Sequence, residues 1–144
     1  MTHQVLISLA ANCDQEKNLG EARRRLALVL TDVTFTRELW TDPVGASPHV
    51  SSIRYLNQLA SGSTKMTVEE LCQWLKQTET SMGRTAADRS KGIVRIDLDL
   101  LSYDADRYHL KDWERSYVKL LLHLSTTCDT ATKQNDNPIH NEQE

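Results

Sequence analysis

Two aspartates stand two positions apart in residues 93–101, the segment of the sequence with the clearest strand pattern. Apolar and polar residues alternate there, so a β-strand would place Asp97 and Asp99 on the same face, with Cα atoms roughly 6–7 Å apart. Neighbouring carboxylates repel each other unless a cation lies between them, and Mg²⁺ prefers such oxygens while sharing its other positions with substrate phosphates. The pair is therefore interpreted either as a magnesium site or as the solvent-facing side of an ordinary strand.

Residue types that bind phosphate lie on both sides of the aspartate pair. Arg84 precedes the strand, and His109 and Arg115 follow it. The sequence contains neither a G-x-x-x-x-G-K-[ST] loop nor a G-x-G-x-x-G turn, so a nucleotide would be held by side chains rather than by a glycine-rich loop. These cations favour the magnesium interpretation, with a phosphate-bearing substrate.

The elements that must position these residues follow from the hydrophobic pattern. It predicts four strands and two helices in the order β-α-β-β-α-β, at residues 5–9, 19–30, 33–40, 53–59, 67–82 and 93–101. The second helix opens with the capping box Thr67-Val-Glu-Glu70, and Gly83 fits its C-terminal cap. Residues 41–49 and 84–92 are interpreted as loops, and residues 117–124 as a helix or a strand. This order indicates an α+β fold, a ferredoxin-like sandwich with a mainly antiparallel sheet.

Composition and charge limit the classes of protein that the chain can belong to. Its 144 residues suggest one domain over 1–125 and a disordered polar tail over 126–144. A formal net charge of −3 excludes a strongly basic nucleic-acid binder, and no apolar run is long enough to span a membrane. Cys13, Cys72 and Cys128 form no C-x-x-C pair, which argues against a disulfide framework or a structural zinc site. We expect a cytoplasmic monomer without nucleic-acid or membrane partners.

Several motifs, taken in order, resemble the 6-hydroxymethyl-7,8-dihydropterin pyrophosphokinase family of folate biosynthesis. The strand Ile96-Asp-Leu-Asp-Leu100, with Gly83-Arg84 at this distance before it, is the most specific of them. The other matching residues are Asn12 at the end of the first strand, Thr41, Pro43-Val-Gly45, Tyr55-Leu-Asn57 and Glu79. The resemblance extends from about Val5 to Leu124, which is most of the chain.

The resemblance implies a reaction in which the terminal diphosphate of ATP is transferred to the pterin hydroxymethyl group and AMP is released. It implies ATP as co-substrate and two Mg²⁺ ions bound by Asp97 and Asp99, which would act in catalysis together with Arg84. It implies a pterin site lined by Thr41, Val44, Tyr55 and Asn57, with Tyr117 stacking on the pterin ring. It implies a nucleotide site formed by Glu79, Arg84, His109 and Arg115. We expect the aspartates on a central strand, facing a cleft that these residues share.

The chain also departs from the family pattern. The loop before the aspartate strand usually carries further arginines and a tryptophan, but those positions here are Ala86, Lys91 and Val94. Ala10-Ala11 replaces a glycine-serine pair in the first strand, and the polar tail replaces most of the family's C-terminal extension. These differences predict weaker binding of ATP than of pterin.

Two alternatives to an active enzyme follow from these departures. One is a non-catalytic pterin- or nucleotide-binding relative of the family, and the other is an unrelated ferredoxin-like interaction domain. The loop over 84–94 distinguishes the active enzyme from these alternatives, because an active enzyme would need Arg89, Lys91 and Arg95 to replace the missing cations.

Overall fold

The computed structural model describes residues 1–42 and 54–124. The elements, in chain order, are β1 (His3–Ala11), α1 (Gln15–Val29), β2 (Thr31–Phe35), β3 (Leu39–Thr41), β4 (Tyr55–Thr64), α2 (Val68–Ser81), α3 (Ala86–Ser90), β5 (Asp97–Tyr103), β6 (Asp106–Arg107) and α4 (Leu110–Trp113). A fifth helix, α5, is described over 116–124. Val44, the predicted start of a strand at residue 53, and the predicted tail at 126–144 lie outside the described residues.

The strands form one sheet in the order β2-β4-β1-β5-β6, and β3 also pairs with β4. Every pairing between described strands is antiparallel. The predicted α+β, ferredoxin-like fold is therefore confirmed. β1 lies at the centre of the sheet, with β4 on one side and β5 on the other, so it aligns residues that are far apart in the sequence.

Apolar residues cover both faces of the sheet, because side chains of a strand alternate between its two sides. One core contains side chains of β1, β4 and β5 together with α1 and α2: Val5, Ile7, Leu9, Leu19, Leu26, Leu56, Leu71, Leu75, Ile96, Leu98 and Leu100. A smaller core on the other face contains Leu59, Leu101, Val118 and Leu121, with Trp113 and Tyr117 packed against it. Helices α4 and α5 therefore lie near the polar face of β5, where Asp97 and Asp99 stand.

Several predicted elements differ from the structure in their bounds or type. The predicted strand at 33–40 is two strands, because Thr36 accepts the Leu59 N–H with its Oγ1 and so interrupts the ladder. The predicted strand at 53–59 continues to Thr64. The segment at 117–124 is helical.

The predicted loop at 84–92 contains the short helix α3. Thr85 caps its first turn by accepting the Asp88 N–H at 3.0 Å. Of the five residues of α3, only Asp88 is buried, so the helix has no apolar face that periodicity could reveal. The prediction of an irregular loop was wrong for this reason.

The aspartate strand begins at Asp97 rather than at residue 93, because the backbone of Val94 is bound elsewhere. Asn12, at the end of β1, donates its N–H to the Val94 carbonyl at 2.8 Å, and its Oδ1 accepts the Val94 N–H at 2.6 Å. The Asn12 side chain also donates to the Gly92 carbonyl at 2.8 Å. β5 is not central either, since β6 pairs only with its Ser102 and Tyr103. Asp97 and Asp99 thus stand beside β1, with no described strand on their other side.

Candidate active site

Asp97 and Asp99 lie on the same face of β5, as strand parity predicts. Across the ladder, Asp97 pairs with Ala10 and Asp99 with Ser8 of β1. Small residues at these two positions leave room beside the carboxylates. Both aspartates are half-buried, and both line the two cavities that meet at this edge of the sheet.

The first cavity, of about 580 Å³, lies between α2, the segment of α3 and β5. Three residues predicted on the nucleotide side line it: Glu79, Arg84 and His109. Two further cations, Lys76 and Arg89, line it as well. It is therefore a polar cavity whose lining combines the aspartate pair with several cations.

The second cavity, of about 250 Å³, lies on the other side of the aspartates, between β3, β4 and the α4–α5 segment. Four residues predicted to bind pterin line it: Thr41, Tyr55, Asn57 and Tyr117. Arg115 also lines this cavity, whereas the resemblance implied that it belongs to the nucleotide side. All the described candidate residues thus lie around one or the other cavity.

Glu79, near the C-terminal end of α2, joins the first cavity to the aspartate strand. Its buried carboxylate accepts the Arg84 Nη1 at 2.8 Å and the Leu98 N–H, between the two aspartates, at 2.7 Å. Burial, together with the nearby Asp97, raises the pKa of Glu79 to about 7, although the Leu98 N–H and Arg84 act in the opposite direction. Glu79 therefore holds both Arg84 and the backbone of β5 in place.

Arg84 reaches the aspartates because the chain turns sharply after α2. Gly83 has φ +108°, a left-handed conformation that side chains disfavour, and a Cβ there would lie 3.0 Å from Cδ of Arg95. The turn brings the Arg84 Nη1 to 3.5 Å from the Asp97 Oδ1. Arg84 is thus shared between two carboxylates at the wall of the first cavity.

Asp99 is surrounded by more acidic groups than basic ones. Burial and the neighbouring Asp97 raise the pKa of Asp99 to about 6, while His109 opposes this shift. The His109 Nε2 lies 3.9 Å from the Asp99 Oδ1. Such mutual repulsion is what a bound cation would relieve.

The donor atoms of this cluster suit a hard divalent cation. One oxygen each of Glu79, Asp97 and Asp99 lies within 4.8 Å of the others. Both Glu79 oxygens already accept hydrogen bonds, so the two aspartates are the better ligands. Carboxylates of this kind, with room for a phosphate, fit Mg²⁺.

The second cavity has two tyrosines and an asparagine among its lining residues. The buried Asn57 donates its Nδ2 to the Leu39 carbonyl at 3.0 Å and to the Thr41 Oγ1 at 2.8 Å, which fixes the plane of its amide. Burial raises the pKa of the Tyr117 hydroxyl to about 12 and that of Tyr55 in the same direction. Both phenols therefore stay neutral at physiological pH.

Sequence reasoning gave no role to several lining residues of these cavities, among them the charged residues Asp112 and Lys76. Asp112 lines the second cavity, and its Oδ1 accepts the Arg115 Nε at 3.0 Å. Lys76 lines the first cavity from α2, three residues before Glu79. Helical spacing relates Lys76 to Glu79, since positions i and i+3 share a helix face, whereas Arg115 lies between α4 and α5 and is not on the helix that carries Asp112.

A comparison of the sequence with protein-family models identifies the family of the chain. The family model for 7,8-dihydro-6-hydroxymethylpterin-pyrophosphokinase (HPPK) matches residues 6–126. The chain belongs to the HPPK family. This family supplies pterin pyrophosphokinases to folate synthesis and in general uses ATP and Mg²⁺. Among curated proteins, none matches the chain significantly.

The HPPK match covers every described element except the first residues of β1. Both cavities and the aspartate pair lie inside the matched range.

None of the helices over 1–42 and 54–124 combines the length and apolar character needed to cross a membrane.

Proposed function

We propose that the chain transfers diphosphate from ATP to 6-hydroxymethyl-7,8-dihydropterin, giving the pterin diphosphate and AMP. The observation that carries the proposal is that Asp97 and Asp99 line two cavities at once. One cavity is lined by several cations, and the other has two tyrosines and an asparagine among its lining residues. Transfer between two substrates requires such a junction, because the reacting oxygen and phosphorus must meet at one point.

The aspartates and their neighbours supply positioning and charge neutralisation, which is most of what phosphoryl-type transfer requires of a protein. Asp97 and Asp99 would hold Mg²⁺, two ions by analogy with the family, which would neutralise charge on the phosphate oxygens when bound. Arg84, kept in place by Glu79, would stabilise charge on the transferred group. His109 would contact the polyphosphate beside Asp99, and Arg115 would do so from the second cavity.

The second cavity would bind the pterin. Tyr55 and Tyr117 offer aromatic faces for its ring, and stacking of this kind adds roughly 0.5–1.5 kcal/mol beyond burial. Asn57 and Thr41 would bind the polar edge of the ring, and the resemblance also assigns Val44 to the pterin site. The expectation of a cytoplasmic monomer rests on the sequence alone.

A non-catalytic relative is the second candidate, and one observation favours it. Arg95, the cation nearest the arginine position that Val94 occupies, donates its Nε to Asp88 at 2.8 Å and lines neither cavity. A chain that binds ATP without holding its phosphates in line would bind both ligands and leave them unreacted.

An assay of AMP release from ATP and hydroxymethyl-dihydropterin with Mg²⁺ tests the proposal, with calorimetric titration of each ligand alongside. Turnover that requires both substrates and Mg²⁺ supports the enzyme. Binding of both ligands without AMP identifies the non-catalytic relative. Failure to bind either ligand rejects both candidates.

A further inference from the structure

Two cations that line the first cavity have no role in the function proposed above. Lys76 lies on α2 and Arg89 on α3, and both are exposed residues that line the cavity. We propose that Lys76 and Arg89 bind the phosphates of the nucleotide, taking over from the cations absent at Ala86 and Val94. This inference rests on the proposed function and names further binding residues for it.

The charges that line the cavity show why two further cations are needed. Arg84 is already engaged with Glu79 at 2.8 Å and with Asp97 at 3.5 Å. His109 faces Asp99 at 3.9 Å. A polyphosphate that approaches Asp97 and Asp99 is repelled by their negative charges. The positive charges of Arg84 and His109 offset this repulsion only in part, because both already face carboxylates. Lys76 and Arg89 add two positive charges, and none of the ion pairs within 1–42 and 54–124 involves either of them.

The two cations come from elements that are held in place. Lys76 is one turn before Glu79 and Thr80, which line the same cavity from α2. Arg89 is fixed through its neighbours, since Asp88 binds Arg95 and the Asp88 carbonyl accepts the Ile93 N–H at 2.8 Å.

The segment that carries Arg89 is attached to β1 as well. Asn12 binds the backbone of Gly92 and of Val94 through three hydrogen bonds. The sequence left open whether Arg89, Lys91 or Arg95 could replace the missing cations. Their positions in the structure favour Arg89, which lines the first cavity. Lys91 does not line it, and Arg95 is engaged with Asp88.

Calorimetric titration of full-length protein with ATP and Mg²⁺, and separately with inorganic tripolyphosphate and Mg²⁺, tests the proposal. Loss of one charge-assisted contact should raise Kd about ten-fold for Lys76→Ala and for Arg89→Ala, with both probes. The matched controls are Lys91→Ala, beside α3, and Lys65→Ala, before α2, which remove the same charge outside the cavity and should change Kd less than three-fold. Thermal unfolding checks that the exposed substitutions leave the fold intact.

The outcomes separate this inference from the proposed function. If Lys76→Ala and Arg89→Ala bind both probes as tightly as the wild type, the inference is overturned even when the enzyme produces AMP. If the wild type forms no AMP but its ATP affinity falls in these two variants and not in the controls, the inference stands without the enzyme. Absence of ATP binding by the wild type overturns the inference too.

Discussion

At the scale of single residues, the aspartate pair is the feature on which the proposed chemistry depends. Asp97→Ala or Asp99→Ala should reduce AMP formation to background, because one remaining carboxylate cannot hold the cation between substrate phosphates. The fold should persist, since removing either charge relieves repulsion and costs little packing. Steady-state rates at several Mg²⁺ concentrations, with thermal unfolding of each variant, measure both effects.

Asp106→Ala provides the control for this experiment. Asp106 is an exposed aspartate on β6, outside both cavities, so its removal should leave the rate unchanged. Near-normal activity of an Asp97 or Asp99 variant at limiting Mg²⁺ would show that the metal assignment is wrong.

Glu79 has a structural effect that can be separated from catalysis. In Glu79→Ala the buried Leu98 N–H loses its acceptor, and an unsatisfied buried donor costs about 1–3 kcal/mol of unfolding free energy. Glu79→Gln keeps an oxygen for Leu98 and should recover most of this loss. Urea unfolding of the two variants compares them directly, and equal stabilities would contradict the role given to the Leu98 bond.

At the scale of elements, Asn12 determines where the segment of α3 lies. Asn12→Ala removes both side-chain hydrogen bonds, to Gly92 and Val94, and keeps the backbone bond. Amide hydrogen exchange over residues 85–95 should become faster while exchange in β1 and β4 stays slow. Asn18→Ala is the control. It removes the side-chain hydrogen bond from Asn18, in α1, to the carbonyl of Cys13, just before α1, and should leave the exchange rates over 85–95 unchanged.

Helix α1 carries an ion-pair cluster that responds to pH. Hydrogen bonds from Arg24 and then Arg25 lower the pKa of Glu21 from its ordinary value of 4.5 to about 2. Because the folded value lies below the unfolded one, the stabilisation is present above pH 4.5 and disappears as the pH falls towards 2. The stability difference between wild type and Glu21→Gln should shrink over that interval and with added salt, as urea unfolding at a series of pH values would record. A constant difference would contradict the shift.

Sequence patterns predicted correctly those features that depend only on residues close together in the chain. The period of two placed Asp97 and Asp99 on one face correctly, and the Thr67–Glu70 capping box is present with both of its hydrogen bonds. The structure of α3 could not be predicted, because its side chains have no apolar period. The late start of β5 could not be predicted either, since it depends on Asn12, more than 80 residues earlier in the chain.

The cavities depended even less on local pattern. Arg115 lies in the second cavity because of how the α4–α5 segment crosses the sheet, and no motif in the sequence encodes that crossing. The resemblance supplied the identity of the candidate residues, while the division into two cavities required the fold.

At the scale of the whole molecule, the two cavities can be tested as separate binding sites. Tyr117→Ala should weaken pterin binding by about ten-fold through lost stacking and burial, and leave ATP binding unchanged. Arg84→Ala should do the reverse, because Arg84 lines only the first cavity. Calorimetric titration of each ligand into both variants gives a crossed comparison. Equal losses of both ligands in either variant would contradict two separable sites.

The position of β1 between β4 and β5 has a consequence for how the protein folds. β1 precedes β4 and β5 in the chain, and its Ala10 and Ser8 pair with Asp97 and Asp99, on the order of 90 positions further along. Because β4 follows β1 more closely and can pair with it before β5 has been made, the junction of the two cavities should be among the last parts to assemble. A nascent or partly folded chain would thus contain its central strand and most of its larger core before Asp97 and Asp99 take their places beside β1.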